Sequence, residues 1–159
     1  MHIKIIAVGK LKEKYLADAV SEYEKRLSRF AKLEIVQLPD VKIPDKATAA
    51  EEAAVLKAEG DKILEKIPQG AYVYALCVEG KQQSSEAFAQ GLDALAISGK
   101  SDVCFIIGGS LGLDVRVKQR ADMRLSFSKM TLPHMLMRVV LLEQIYRAFQ
   151  IAEGGKYHK

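Results

Sequence analysis

Residues Leu125–Phe149, LSFSKMTLPHMLMRVVLLEQIYRAF, join a short strand-like run, a polar turn, a proline and the longest apolar helical segment of the chain. At about 100° per residue, the helix after Pro133 places His134 and Arg138 on one polar stripe, directly behind the turn, where they can point into a site. A second polar stripe lies roughly opposite and contains Glu143, Arg147 and Gln150. Apolar residues fill both flanks between the stripes, and a helix of this kind is usually buried on both flanks. The second flank is covered either by the core of the same protomer or by a second copy of the chain, and the pattern favours a homodimer.

Strands and helices alternate along the rest of the chain. The hydrophobic periodicity predicts strands over 2–8, 33–38, 71–78, 103–107 and 123–127, and helices over 10–30, 47–67, 84–97, 115–120 and from 134 to Gly154. This alternation with short loops predicts a parallel sheet with helices on both faces, an α/β/α sandwich formed by one domain over residues 1–159. In open sheets of this kind, ligands bind at the carboxyl ends of the strands.

The cysteines and the N-terminus indicate a cytoplasmic protein. Cys77 and Cys104 each lie inside an apolar run without a neighbouring His or Cys, so they are interpreted as core residues and not as metal ligands or a redox pair. The N-terminal run is short and interrupted by Lys4, which is typical of a strand and not of a signal peptide. No apolar run approaches the length of a membrane span.

The positive charge is concentrated in the last third of the chain. The net charge is +4, and residues 100–159 carry ten Lys and Arg against five Asp and Glu. Lys10, Lys12 and Lys14 form a second basic group near the first predicted helix. Either group is a contact surface for a polyanion or a solvated basic face, and charge alone does not separate these interpretations.

Three predicted strand ends carry the chemistry of the chain: 76–80, 108–112 and 127–132. The glycines of the Gly108-Gly109-Ser110-x-Gly112 loop either let the backbone lie close to a ligand or only form a tight turn. It lacks the Gly-Lys-Ser/Thr of a phosphate-binding loop and the spacing of a dinucleotide fingerprint. The later turn presents the polar side chains of Ser126, Ser128, Lys129 and Thr131. Backbone amides and hydroxyls at such a turn can hold a polar ligand, although helix capping is the favoured role of the Thr131 hydroxyl.

Four segments together resemble one known family. They are VGKLKEKY at 8–15, FIIGGSLGL at 105–113, the stretch at 125–149 and the terminal YHK at 157–159. The chain resembles the bacterial large-subunit ribosomal RNA pseudouridine N3-methyltransferases, which belong to the SPOUT class of knotted methyltransferases. The resemblance covers all 159 residues and the order of every element.

The resemblance implies a fold, a cofactor and partners. The C-terminal part of the α/β sheet would form a trefoil knot, and the protein would be a homodimer through its long C-terminal helix, with each site completed by the partner. S-adenosylmethionine would bind in the knot, and no metal is implied. The residues implied for the cofactor are Leu76, Gly108, Phe127, Ser128, Lys129, Met130, Thr131 and Leu132. The substrate would be a pseudouridine in helix 69 of the large-subunit RNA, within the assembled ribosome.

Three residues are candidates for the catalytic step. His158 is a candidate base for the N3 proton, because an unperturbed imidazole titrates near neutrality; the alternative is a frayed terminus. Arg138 contacts an RNA phosphate or orients the base, or it forms a structural ion pair such as one with Glu143. Tyr157 could stack on a base.

The alternative from another class is a non-catalytic RNA- or ribosome-binding module that uses the basic C-terminal third. Such a module would bind RNA in a salt-dependent way without affinity for S-adenosylmethionine. A nicotinamide-dependent enzyme is disfavoured by the glycine spacing.

Overall fold

The computed structural model describes residues 1–158. The strands are β1 (His2–Val8), β2 (Lys32–Leu38), β3 (Tyr72–Gln82), β4 (Asp102–Ile107) and β5 (Met123–Ser126). The helices are α1 (Lys14–Leu27), α2 (Ala49–Lys66), α3 (Ser85–Ile97), α4 (Val115–Arg120) and α5 (His134–Ala152). Every predicted element is therefore present, although several bounds differ from the prediction.

The strands form one parallel sheet in the order β2-β1-β4-β3-β5. Alternate residues of β1 enter two separate cores: Ile3 and Ile5 pack with α1, α3 and α5, whereas Ile6 and Val8 pack with α2 and α4. This two-sided burial explains the nearly continuous apolar runs of the central strands. The predicted parallel sheet between two helical layers is confirmed.

The sequence marks the start of α3 correctly. The Ser84 hydroxyl accepts a hydrogen bond from the Ala87 backbone N–H at 3.1 Å, as an N-terminal capping residue does. The start of α1 differs from the prediction. Residues 10–13 form a loop before the helix, and this loop is fixed by the Leu11 backbone N–H, which donates to Gln37 Oε1 at 2.8 Å.

Strand β3 is longer than predicted because it pairs with β5 in two registers. Leu76 and Lys81 both lie opposite Leu125, and the residues between them bulge out of the ladder. Gly80 permits this bulge, since a Cβ there would lie 2.8 Å from the backbone of Arg124 and Leu125. The bulge is a tertiary feature and leaves no periodic signal in β3.

Helix α5 packs between α1 and α3 of the same protomer. Leu142 and Ile145, which the sequence placed on one apolar flank, are both 0% exposed in this core. The other flank is more open, and Leu136 on it is 38% exposed. The protomer therefore buries one flank by itself, and a second subunit on the remaining flank stays a prediction.

The predicted capping role of Thr131 is wrong. Pro133 occupies the capping position of α5 without a side-chain hydrogen bond, and Thr131 is exposed in the preceding loop. The proline ring keeps the preceding residue out of the helical conformation, so it fixes the start of α5 without a capping hydroxyl.

Both cysteines are free thiols with raised pKa values. Cys104 is buried, which raises its pKa to about 12, and burial also raises the pKa of the half-buried Cys77. The predicted core position is confirmed for Cys104, whereas Cys77 is only partly buried. Thiols with raised pKa values are poor nucleophiles. Within residues 1–158, no helix combines the length and hydropathy that crossing a membrane requires.

Candidate active site

A cavity of about 210 Å³ opens at the carboxyl edge of the sheet, where β3, β4 and β5 end. The three strand ends chosen from the sequence all contribute to its wall. Six of the eight residues implied for the cofactor line it: Leu76, Gly108, Phe127, Met130, Thr131 and Leu132. Positions distant in the sequence are thus brought together by the parallel topology.

Ser128 and Lys129 do not line the cavity. The Ser128 hydroxyl accepts a hydrogen bond from the Met130 backbone N–H at 2.9 Å, and the Ser128 carbonyl accepts one from the Ser126 hydroxyl at 3.1 Å. Lys129 is exposed on the outside of the same loop. The serine hydroxyls therefore hold the shape of the loop, while its apolar residues face the cavity.

The glycine loop is both a tight turn and a wall of the cavity. The Gly112 backbone N–H donates to the Gly109 carbonyl at 3.0 Å, and Gly112 has a positive φ of 82°. A Cβ on Gly108 would lie 2.4 Å from the Gly112 carbonyl oxygen. The chain itself therefore requires glycine at position 108, independently of any ligand.

Two charged side chains at the cavity were missed by the sequence reasoning. Lys118 of α4 donates to the carboxylate of Glu79 in the β3 bulge, and both residues line the cavity. The hydrogen bond from Lys118 is the largest cause that lowers the pKa of Glu79. Nothing in the local pattern links them, because the bulge that brings Glu79 to the rim appears only in the pairing of β3 with β5.

His134 lines the cavity from the first turn of α5, as its place behind the polar turn suggested. Neither of its ring nitrogens has a hydrogen-bond partner within residues 1–158. Burial lowers its pKa and the nearby Arg138 lowers it further, whereas Asp40 opposes both. The imidazole is therefore neutral near pH 7 and free to accept a proton or a hydrogen bond.

Arg138 lies on the same stripe but does not reach the cavity. It is 2% exposed, and its guanidinium donates to the carbonyls of Val8 at 2.9 Å and Gly9 at 2.6 Å and to Gln37 Oε1 at 3.1 Å. Burial is the main cause that lowers its pKa. The geometry favours a structural role, with the carbonyls of Val8 and Gly9 and the Gln37 side chain as partners in place of the suggested Glu143.

The C-terminal residues are folded back over α5. The Tyr157 hydroxyl donates to Glu143 Oε2 at 2.9 Å. His158 lies 2.7 Å from Glu86 Oε1 through Nε2 and 3.3 Å from Arg147 through Nδ1. The structure therefore does not bring Tyr157 or His158 to the cavity of their own chain, and Lys159 lies outside the described residues.

Glu143 is the centre of this C-terminal packing. Burial raises its pKa, but hydrogen bonds from Tyr23, Tyr157 and Arg147 together outweigh burial and lower the pKa. The hydroxyl of Tyr23 donates to Oε2 at 2.5 Å, and Nε of Arg147 donates to Oε1 at 2.9 Å. The second polar stripe of α5 is thus an anchor for α1 and for the C-terminal residues.

No group of three or more His, Cys, Asp or Glu side chains in residues 1–158 is arranged to hold a metal ion. The candidate site is an apolar cavity walled by one glycine-containing turn and by the turn after β5, with one ion pair and one histidine.

A family model described as predicted SPOUT methyltransferase matches residues 1–158. The chain belongs to the SPOUT methyltransferase family. Two similar proteins, from Streptococcus suis (strain 05ZYH33) and Lactobacillus helveticus (strain DPC 4571), are 56% and 58% identical to it over 159 residues. Each match covers the whole of both chains, and both relatives are named ribosomal RNA large subunit methyltransferase H. The class to which the sequence motifs pointed is therefore confirmed.

A solved structure, a probable methylase family protein from Haemophilus influenzae Rd KW20, has the same fold as this SPOUT methyltransferase. The TM-score is 0.55 at 11% identity, and the match covers 99% of this chain and 70% of the other. At that identity the likeness concerns the fold alone. It agrees with the parallel sheet between helical layers.

Proposed function

We propose that this protein transfers a methyl group from S-adenosylmethionine to N3 of a pseudouridine in helix 69 of large-subunit ribosomal RNA, within the assembled ribosome. One observation carries the proposal: the cavity at the carboxyl edge is lined by six of the eight residues that the resemblance implies for the cofactor. The relatives' shared name supports ribosomal RNA as the substrate class. Membership of the SPOUT methyltransferase family supports S-adenosylmethionine as the methyl donor.

The lining of the cavity suits this cofactor chemically. Leu76, Phe127 and Leu132 give apolar wall, and the turns at Gly108 and after β5 bring backbone polar groups close to it. The oppositely charged Glu79 and Lys118 at the rim match the ammonium and carboxylate groups of a methionine moiety. When bound, the cofactor supplies an electrophilic methyl group on a sulfonium, and the protein supplies position and electrostatics.

The protein must also accept one proton, because N3 of pseudouridine loses its hydrogen when the N3–CH₃ bond forms and the S–CH₃ bond breaks. His158 is the proposed base, and one of its ring nitrogens would receive the proton. In the protomer these nitrogens contact Glu86 and Arg147, so His158 would act after leaving that place or on the cavity of a second subunit. Tyr157 would stack on a base beside it.

His134 is a second candidate for the same proton. A specific observation favours it: it already lines the cavity, and no residue in 1–158 occupies its ring nitrogens. Comparing His134→Asn with His158→Asn separates the two candidates. The variant that loses methyl transfer while it still binds the cofactor and the ribosome lacks the base.

The proposal includes a homodimer through α5 and a knot in the C-terminal part of the sheet. The open flank of α5 around Leu136 supports the first. Membership of the SPOUT methyltransferase family supports the second. Arg138 would contribute to activity by holding α5 on β1.

Calorimetric titration with S-adenosylmethionine tests the proposal first. Saturable binding near one molecule per chain is expected, and no binding would favour the RNA-binding module.

Methyl transfer is then measured with tritiated cofactor on intact ribosomes and on isolated large subunits from a strain that lacks the corresponding gene. Mass spectrometry of the RNA should locate a single methyl group on pseudouridine. A methyl group on another nucleotide would refute the substrate while leaving the enzyme class intact.

A further inference from the structure

The segment Lys10–Tyr15, which we name the basic arm, leaves the sheet at the same carboxyl edge as the cavity. Gly9 turns the chain with a positive φ of 93° at the end of β1. A Cβ on Gly9 would lie 2.9 Å from Met135 Cε, so the arm begins against the first turn of α5. The neighbouring residue His134 lines the cavity, which places the base of the arm beside it.

Two hydrogen bonds fix the base of the arm. Arg138 donates to the Gly9 carbonyl at 2.6 Å, and the Leu11 backbone N–H donates to Gln37 Oε1 at 2.8 Å. The same glutamine amide also accepts from Arg138 at 3.1 Å. The arm is therefore presented from a fixed point, and its last two residues, Lys14 and Tyr15, already belong to the first turn of α1.

Three of the six side chains of the arm are cationic, and all except Leu11 are exposed. Lys10 and Lys12 are exposed and have no ion-pair partner within residues 1–158, whereas Lys14 pairs with Asp18 at 2.6 Å. Tyr15 is 70% exposed, which is unusual for a large aromatic residue. Glu13 is the single acidic residue of the arm.

Other charges at this edge leave the arm positive. Asp40 lies beside Gly9, but it acts on the buried Arg138 and on His134 and forms no ion pair with the arm within residues 1–158. Lys129 is exposed in the loop after β5, at the same edge of the sheet. Within residues 1–158, the carboxyl edge of the sheet thus carries unpaired lysines on two separate loops.

We infer that the basic arm binds RNA next to the reacting nucleotide: Lys10 and Lys12 contact phosphates, and Tyr15 stacks on an unpaired base. Exposed lysines without acidic partners fit phosphates, and an exposed aromatic ring fits a base outside a helix. The inference rests on the proposed function, because it supplies the surface that holds the RNA while the cavity holds the methyl donor.

The test compares a double variant with a matched control. Lys10→Gln/Lys12→Gln removes two charges from the carboxyl edge, and Lys32→Gln/Lys100→Gln removes two exposed charges from the opposite, amino edge. Binding to unmethylated ribosomes is measured by filter retention between about 50 and 200 mM salt. The arm variant should bind roughly ten-fold more weakly at the low-salt end, and its slope of log K against log salt should be shallower by about 1 per lost phosphate contact. The control should match the parent in both quantities.

Two further measurements test the stacking role of Tyr15 and identify the partner of the arm. Tyr15→Leu should weaken binding without changing the salt slope, and Tyr15→Phe should restore it. A photocrosslinking residue placed at position 15 should attach to ribosomal RNA within the whole particle; attachment to ribosomal protein alone would identify a protein partner and overturn the inference. Equal slopes for the parent, arm variant and control would also overturn it. Cofactor affinity should be unchanged in all variants, whereas a parent without cofactor affinity would refute the proposed function separately.

Discussion

Gly108 shows that a glycine beside a cavity can be required by the chain and not only by a ligand. Its absent Cβ would lie 2.4 Å from the Gly112 carbonyl oxygen, and even alanine must displace the turn. We expect Gly108→Ala to lower the free energy of unfolding by about 1–3 kcal/mol and to weaken cofactor binding together with it. Gly91→Ala is the matched control, since the nearest atom to its Cβ, the Tyr74 hydroxyl, is 3.7 Å away and alanine favours the helix. Urea unfolding and calorimetry measure both effects, and a Gly108→Ala protein as stable as the parent would contradict the steric argument.

His134 gives the protein a pH dependence of known sign. Its folded-state pKa lies below the ordinary 6.5, because burial and Arg138 disfavour the imidazolium. The unfolded chain therefore binds this proton more readily, so stability is complete above about pH 6.5 and decreases as the pH falls below it. We expect His134→Gln to lose less stability than the parent between about pH 7.5 and pH 5.5. Urea unfolding at both values measures this, and equal losses in the two proteins would show that His134 does not carry the effect.

Single residues also mark where sequence reasoning stops. Helical spacing placed His134 and Arg138 on one stripe correctly, and only His134 reaches the cavity. Two partners of Arg138 are the backbone carbonyls of Val8 and Gly9, which have no side-chain signature in the sequence, and the third is the side chain of Gln37 on another strand. Lys118 and Glu79 meet only because β3 bulges, so no local pattern could have indicated their ion pair.

At the scale of elements, the two flanks of α5 have separate roles that mutation can distinguish. Leu142 is 0% exposed inside the protomer, so Leu142→Glu buries an unpaired carboxylate and should destabilise folding by at least about 3 kcal/mol. Leu136 is 38% exposed, so Leu136→Glu should change the stability of the protomer by less than about 0.5 kcal/mol. If α5 forms the dimer interface, Leu136→Glu should instead produce folded monomers. Sedimentation of both variants and the parent measures this; a parent that is monomeric at micromolar concentration removes the homodimer from the proposal.

Some boundaries of the strands and helices are set by the local sequence, and others are set by contacts with residues distant in the sequence. The strands and helices were predictable because each has its own apolar period and its own stop signals. The early start predicted for α1 failed because residues 10–13 are held by Gln37 of β2, a contact distant in sequence. The extension of β3 to Gln82 was not predicted for a similar reason, since it depends on a second register with β5.

At the scale of the whole molecule, the C-terminal residues should matter more for methyl transfer than for folding stability. Removal of Tyr157–Lys159 deletes a hydroxyl donor to the half-buried Glu143, which should cost about 1 kcal/mol, or about 2–4 °C in Tm. Cofactor binding should persist, because Tyr157 and His158 do not line the cavity. Methyl transfer should be lost if His158 is the base.

Thermal melting, calorimetry and methyl transfer to ribosomes, run on the same truncated protein, make this test. Tyr157→Phe is the control, since it removes only the hydroxyl and should reproduce the loss of Tm without the loss of the proton acceptor. Full transfer activity in the truncated protein would leave His134 as the remaining candidate base.

The parallel sheet between helical layers could be predicted from alternation alone, but the strand order could not. The order β2-β1-β4-β3-β5 depends on how each crossover returns to the sheet, which hydrophobic period does not encode. The same limit applies to the knot, which came only from the resemblance to a family. Periodicity shows which face of a helix or strand is buried. The topology depends on which other element packs against that face, and periodicity does not show this.

The carboxylate shared by Tyr23 and Tyr157 has an optical consequence. The chain contains six tyrosines and no tryptophan, so its ultraviolet emission comes from phenol rings alone. A phenol that donates to a carboxylate emits weakly, because its excited state readily gives up the proton. Two of the emitters are therefore darkened by Glu143 while the C-terminal residues are in place. Departure of Tyr157 from α5 should brighten the protein, so that in the isolated protein native fluorescence reports whether its last residues are packed on α5, without an added dye.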